Sequence, residues 1–441
     1  MSADPSLTYD VIVAGAGIGG VCAAVAAARE GARVLLVERR ESIGGTGVHS
    51  PVTLICTFFD ASGRYINRGI HEELFPHIYR LPIEEVMSYD EAELARRYRE
   101  VVAAEPRLSV ITGSEIASVR SARGRIHSVT TRGAHPGEWR ASVFVDATAD
   151  GNLSALAGAE YRLGREGDGA LQPATLTFRV AGFDPHAFPF PLPRGRVSTW
   201  PEFARVCEDL KTVYVAQKAA GRITSSRAGV LLIPYPDSPD VAFNQTQIVG
   251  VDPTDPASVA RGLAEGRRQV DEFMEAMRAH PAMRRARVVS ISPMLGVREG
   301  RRILGDYVLT GEDCLGEARF DDMVAACGYA IDIHDPAGGG SRLVRIPGSG
   351  YYHIPYRCLT ARGFSNLLTG SRCISGTHEA HSSYRVMPPI AAIGQAAGTA
   401  AALAAARAQP EVRAVSAAAI RRRLAAAGQF VEEPVPAAEV A

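Results

Sequence analysis

Val11-Ile12-Val13-Ala14-Gly15-Ala16-Gly17-Ile18-Gly19-Gly20-Val21 lies near the start of the 441-residue chain and decides how the remainder is read. Tyr9 to Ala14 is a short, largely apolar run ending in glycines, Val21 to Glu30 is an alanine-rich helical stretch, and Arg33 to Glu38 is a second apolar run. Their order predicts strand, helix, strand. A first strand that is apolar nearly throughout expects cover on both faces, as in a parallel sheet, and Gly31 stands where the helix must stop. The unit therefore opens a doubly wound α/β fold.

The glycines have separate tasks. Gly15 permits the tight turn, Gly17 lets the backbone approach a diphosphate, and Gly20 lets the helix pack near the strand. Ile18 and Gly19 lie between them, in the helix N-terminus that faces the anion. Glu38 closes the second strand where a carboxylate accepts hydrogen bonds from ribose hydroxyls and disfavours a 2′-phosphate. Strand, helix and acid at these distances predict a bound dinucleotide.

Bulk properties bound the rest. A chain of 441 residues exceeds what one ordinary core fills, so two or three packed units are expected. Lys+Arg and Asp+Glu both number 48, which gives no reason to expect nucleic acid or an anionic membrane as the main partner. The seven cysteines lie far apart without CxxC pairs, predicting reduced thiols and a cytoplasmic setting. Met1 to Asp10 lacks the basic start and apolar stretch of an export signal. The uncharged run Val386 to Ala406 is long enough to span a bilayer, yet its many alanines and glycines, with Pro388, Pro389 and Gln395, fit a buried helix better.

In three further segments the chain resembles flavoproteins, which favours FAD over NAD. After Glu38 come Arg39, Arg40 and a Gly44-Gly45 loop rather than another quick helix and strand. Ser142 to Gly151 is an apolar strand ending in small and acidic residues, and before it Leu108 to Thr112, Ile116 to Arg120 and Arg125 to Thr131 read as a small meander. Asn366 to Gly370 is a strand that returns the chain toward the flavin, ahead of a long small-residue helix with Pro388 and Pro389 in its first turn. The positive end of that helix suits an anionic reduced flavin, and Gly394, Ala397 and Gly398 permit close packing. Cofactor contacts are thus expected from Gly15, Gly17, Ile18, Gly19, Gly20, Glu38, Arg39, Gly45, Thr46, Asp146, Gly370 and Met387.

Taken together, the N-terminal fingerprint, Asp146 to Gly151, Asp168 to Pro173, Gly296 to Glu299 with Arg301-Arg302, Ile354 to Arg357 and His378 to His381 resemble a family. It is the family of FAD-dependent oxidoreductases near fumarate reductases and glutathione reductase. The resemblance implies FAD, redox chemistry and a glutathione-reductase-like Rossmann FAD-binding domain with an inserted α+β substrate domain. The expected division is residues 1–155 and 351–410 for the FAD-binding domain, 156–350 for the insertion, and 411–441 for a C-terminal helix and tail. Within the insertion, strands are expected at Ala174 to Val180 and Gly229 to Pro234 and a charged helix from Pro256 to His280, while Val412 to Gly428 reads as a terminal helix. Arg421, Arg422 and Arg423 on it read as a solvated face. Thr46 to Asp60 departs from the family pattern and is expected to flank the flavin and shape substrate preference.

For the chemistry, Thr377 to Arg385 should lie just before the flavin-facing helix. Removing a hydride beside nitrogen or oxygen is helped by a base for the heteroatom proton, which makes His378 and His381 the first candidates. Tyr384 can donate to a developing oxyanion, and Arg298 and Arg385 can grip a substrate carboxylate with two-pronged hydrogen bonds. For Arg298, an ion pair with Glu299 or Asp306 is the favoured alternative. Tyr356 and Arg357 resemble the family's cleft lining. His49 stands where some fumarate-reductase relatives attach FAD covalently, although a noncovalent contact to flavin or substrate is preferred. The His-Glu-Ala-His string lacks zinc spacing, and no metal is expected.

The leading expectation is a dehydrogenase or oxidase acting on a small polar, carboxylate-bearing metabolite, with no membrane partner. The alternatives are an ene-reductase of fumarate-reductase type, a monooxygenase hinted at by Asp150-Gly151, and an FAD-stabilised binding protein. A single fingerprint and the lack of a redox Cys pair leave the electron acceptor open among oxygen, a quinone, a protein, NAD(P)H and another small molecule, and a homo-oligomer stays open as well.

Overall fold

The computed structural model describes residues 8–77, 86–190, 197–198 and 200–432. The start of the chain before Thr8 and the proline-containing end after Glu432 lie outside the described residues. Strand β1 (Thr8–Ala14), helix α1 (Ile18–Arg29) and strand β2 (Val34–Val37) form the expected opening unit. β2 is buried at every position and α1 from Ile18 to Ala28, so no polar face was available to the sequence here.

β1 lies between β2 and the strand Gly137–Asp146, parallel to both, with Ala14 opposite Val37 and Asp146. The strand Gly137–Asp146 has two partners in succession on its other side. Its start pairs antiparallel with Arg125–Gly133, which in turn pairs with Ser114–Ala122, and its end pairs parallel with Leu367–Thr369. One long strand thus joins the meander to the parallel layer. Leu108–Ile111 is not part of the meander, contrary to the sequence reading: it pairs parallel with β2 at the far edge. The carboxyl ends of these parallel strands gather at Ala14, Val37, Asp146 and Thr369, the edge where open α/β sheets bind ligands.

The uncharged C-terminal run is the buried helix Met387–Ala405, with Pro388 and Pro389 in its first turn. No single described helix is long and apolar enough to cross a membrane, and this one joins the preceding short helix only through a 96° bend. It lies against α1 with almost no side chain between. A Cβ on Gly394 would stand 2.1 Å from the Gly19 carbonyl oxygen, and one on Gly398 would stand 2.0 Å from that of Ala23.

A second apolar cluster forms around an antiparallel sheet of Leu232–Pro234, Val241–Phe243, Phe178–Ala181 and Arg287–Ile291. Phe178 and Phe243 stack at 5.5 Å, and Phe273 from the helix Pro256–Met277 closes on Phe243 at 5.0 Å. The strand expected from Ala174 is shorter than predicted, because Ala174 and Thr175 make only isolated bridges, to Ile248 and Gly296. The terminal helix is also broken, into a 3-10 turn Val412–Ala414 and a helix Ala417–Ala426. Arg421 does not belong to a solvated face: it is buried and donates to the Asp321 carbonyl at 3.1 Å.

The helix contact yields a direct test. Gly398→Ala places a methyl against backbone that cannot rotate away, and it is expected to destabilise the protein by about 2 kcal/mol. Urea unfolding of the purified protein checks this, and an unchanged midpoint would show that the two helices separate freely.

Candidate active site

At the carboxyl edge, two glycine turns meet back to back. Gly15 has φ +91°, and a Cβ on Gly45 would come within 2.7 Å of the Gly17 Cα. Gly17 is the N-cap of α1 and offers no side chain, so the first N–H groups of the helix have no capping acceptor. Glu38 is buried, and its two oxygens accept from the Ala16 N–H at 2.8 Å and the Arg40 N–H at 2.9 Å. A carboxylate has further acceptor positions beyond these two. Arg39, Arg40, Ser42 and His49 line an open cavity of about 660 Å³ beside it.

The short helix α2 (Gly45–His49) carries Thr46 and brings Gly47 to the long helix, where a Cβ would lie 3.2 Å from the Met387 sulfur. Gly370 packs on the other side, its carbonyl oxygen 2.1 Å from a Cβ built on Gly19. Asp146 differs from expectation. Its carboxylate accepts from the Thr148 N–H and hydroxyl and from the Ser154 N–H at 2.7 Å, so it holds the turn after its strand together.

His378–Tyr384 forms a helix capped by Thr377. His378 is buried, and its Nδ1 donates to Glu299 Oε1 at 2.9 Å, leaving Nε2 buried without a hydrogen-bond partner. The same carboxylate takes Arg302 at 2.6 Å and the Gln172 N–H at 3.2 Å. Arg302 is wholly buried and also donates to the carbonyls of Gly376 and Gly164.

His381 is equally buried, but neither ring nitrogen has a partner. Burial first, then the charges of Arg302, Arg385 and Arg372, hold its pKa well below the usual imidazole range. Tyr384 is no free donor, because its hydroxyl already donates to the Ile374 carbonyl at 3.0 Å in the core.

The arginines are arranged otherwise than the sequence suggested. Arg298 pairs with neither Glu299, which is taken by Arg302 and His378, nor Asp306, which is taken by Arg413 at 2.7 Å. Instead Arg298 is buried, donates to the Pro173 carbonyl at 2.6 Å, and lies within electrostatic reach of Arg385, Arg227 and Asp332. Burial and the two like charges push its guanidinium down to about 9. Arg385 pairs with Asp332 at 3.3 Å. Tyr356 and Arg357 are engaged structurally, Tyr356 with the Val412 carbonyl and Arg357 with Asp322.

The sequence reading passed over Asp332, His334 and Arg227, and met Gln172 only as part of the Asp168 to Pro173 motif, without a role. A signal was present for two of them, since Ile331-Asp332-Ile333-His334 alternates and places both polar side chains on one face of a strand.

Residues 10–424 match the family described as FAD dependent oxidoreductase. The chain belongs to that family. It is an FAD-dependent oxidoreductase enzyme, and FAD is its cofactor. No curated protein matches the sequence. Among solved structures, it is similar to a geranylgeranyl bacteriochlorophyll reductase-like protein from Thermoplasma acidophilum. That match has 12% identity and a TM-score of 0.42, over 95% of this chain and 83% of that one. A flavin-dependent brominase matches at 10% identity and TM-score 0.44, over 96% of this chain and 84% of that one. The p-nitrophenol 4-monooxygenase of Pseudomonas putida matches at 11% identity and TM-score 0.39, over 68% and 70%.

The cradle of this oxidoreductase fits the cofactor. Gly15, Gly17 and the uncapped start of α1 leave backbone N–H groups that would hold a diphosphate, and Glu38 would accept from the adenosine ribose. The second uncapped helix start, at Val386 and Met387, lies against Gly47 on the same edge. His49 is grouped with Arg39 and Arg40, where its ring lies 3.3 Å from the Ser42 hydroxyl, and not with His378.

Two outcomes follow. If Glu38 accepts from the ribose, Glu38→Ala should lower FAD affinity about tenfold or more; FAD retained through gel filtration measures it, and full retention would detach Glu38 from the cofactor. The second concerns acid. The folded pKa of His381 lies below its usual 6.5, so the unfolded chain takes up a proton that the folded one refuses. This contribution is intact above that pH and is lost as pH falls below it, by about 1.4 kcal/mol per pH unit. His71, pushed down to about 3 by burial, acts in the same direction. Urea unfolding at about pH 7 and about pH 5.5 should show a shallower loss in His381→Gln than in the wild type; equal slopes would mean His381 is protonated in the folded protein.

Proposed function

We propose that the enzyme dehydrogenates a small polar metabolite at a C–H bond beside a nitrogen or oxygen, with His378 as the base. The observation that carries this reading is the Glu299–His378 pair. With Nδ1–H held by a carboxylate at 2.9 Å, the neutral ring presents Nε2 as an acceptor, and that atom is buried and unpartnered. A carboxylate behind an imidazole fixes its tautomer and stabilises the cation formed when Nε2 takes a proton. His381 is the poorer base, because burial and three neighbouring arginines oppose its protonation.

FAD, when bound, supplies the two-electron acceptor. The chain's own part is to take the heteroatom proton at His378 Nε2 while the substrate C–H bond gives up its hydride and a double bond forms. Arg302 and the Gln172 N–H keep the Glu299 carboxylate oriented throughout. The residues between 156 and 350, including the antiparallel sheet around Phe178 and Phe243, serve in this reading as a substrate domain inserted between the two parts of an FAD-binding domain.

The test is anaerobic mixing of the FAD-loaded enzyme with pooled small metabolites, followed by mass spectrometry of what disappears. Bleaching of the flavin with loss of two hydrogens from one compound is expected. Flavin reduced only by NAD(P)H, or a product carrying a new oxygen atom, would overturn the reading. His378→Gln should retain FAD and slow substrate-driven bleaching about 100-fold or more. Glu299→Gln should slow it less and shift its pH profile.

A further inference from the structure

Asp332 stands among more positive charge than it can balance. Its carboxylate lies 3.3 Å from Arg385 and 3.5 Å from His334, and it accepts from the Tyr329 hydroxyl at 3.2 Å. Arg298, held to the Pro173 carbonyl beside Gln172, and Arg227 lie near enough for this carboxylate to act on both electrostatically. Burial and Arg298 push His334 down to about 4, so its imidazole is neutral at neutral pH. Three guanidinium groups therefore stand against one carboxylate.

Even lowered to about 9, the Arg298 guanidinium keeps its proton at neutral pH, so the excess positive charge persists there. Arg298 is only 7% exposed, and the Nε atoms of Arg385 and Arg227 are buried without acceptors. Buried cations that lack counter-charges are costly, and as a purely structural device the cluster would be replaced to advantage by apolar side chains. A site that repeatedly receives an anion accounts for it, since the ligand then supplies the missing charge and the missing acceptors.

The cluster also has a place relative to the base. Gln172 donates its backbone N–H to Glu299 and its side-chain amide to Ser382 at 2.9 Å, while its side-chain oxygen accepts from the His334 N–H at 3.0 Å. One residue thus ties the arginine cluster to the carboxylate behind His378. Arg385 follows the histidine helix directly and precedes Val386, the N-cap of the long helix.

We propose that Arg298, Arg227 and Arg385 form an anion-recognition subsite that takes a carboxylate of the substrate, with Asp332 holding Arg385 in position. The planar fork of an arginine matches the two oxygens of a carboxylate. The subsite deepens the dehydrogenase reading and rests on it for the word substrate, but anion binding itself requires no turnover.

Thermal unfolding of the FAD-loaded enzyme with acetate, malonate, phosphate or chloride at matched ionic strength tests it. Acetate or malonate should raise the transition temperature in a saturable way that chloride does not. Arg298→Gln and, separately, Arg227→Gln should retain FAD and weaken that apparent affinity about tenfold or more. Arg298→Lys keeps the charge without the fork and should weaken it as well, which covers a failure of Arg298→Gln to fold. Carboxylates no better than chloride, or variants that respond as the wild type does, would overturn the subsite, and a preference for phosphate would overturn the carboxylate assignment. If malonate binds but no metabolite bleaches the flavin, dehydrogenation fails alone. If a metabolite without a negative charge bleaches it and malonate does not bind, the subsite fails alone.

Discussion

The contact between α1 and the helix Met387–Ala405 is backbone against backbone. Gly394 and Gly398 set their Cα atoms against the Gly19 and Ala23 carbonyls, at separations that a single methyl would violate. Both helices are buried along most of their length and carry mainly alanine, glycine and small aliphatic residues. Such a contact gains dispersion from every close pair of atoms and loses little side-chain entropy, because alanine and glycine have none to lose. Its consequence is positional. The N-terminus of α1 and the start of the C-terminal helix become neighbours on one edge of the sheet, although they lie hundreds of residues apart in the chain. The diphosphate cradle and the His378 segment are both set from this joint.

What the sequence made legible follows from how local each signal is. β1, α1 and β2 were readable because the apolar run, the glycines and Glu38 fall within one short unit and each has a physical task there. The strand Leu108–Ile111 was misread because two hairpin strands follow it directly, whereas its partner β2 lies far upstream and parallel pairing leaves no turn signal between partners. The long helix was legible from its composition, and its role in placing the active site was not, since that depends on which distant carbonyls its glycines meet.

The candidate residues divide in the same way. His378 and Arg385 were visible as chemistry-bearing side chains, but what distinguishes His378 from His381 is a carboxylate some eighty positions away. Asp146 stood at the end of a strand that does reach the cofactor edge, yet its carboxylate is consumed by the turn at Thr148 and Ser154. Tyr384 lies on the right helix with its hydroxyl turned into the core. Arg298 shows the opposite case. Two acids near it in sequence made an ion pair the natural expectation, and both are claimed by other cations.

Two charge systems consequently lie side by side with opposite character. Around Glu299, the carboxylate is closely matched by Arg302, His378 and the Gln172 N–H, and a matched buried network holds its members in one geometry. Around Asp332 the cations exceed the acid, so the geometry is held while the charge is left open. These characters suit the two proposed roles, since a base has to be oriented before the substrate arrives and a recognition site has to be incomplete until it does. Gln172 bonds to both systems, through its backbone to one and through its side-chain oxygen to the other, which in the proposed reading fixes the spacing between an arriving anion and the nitrogen that takes the proton.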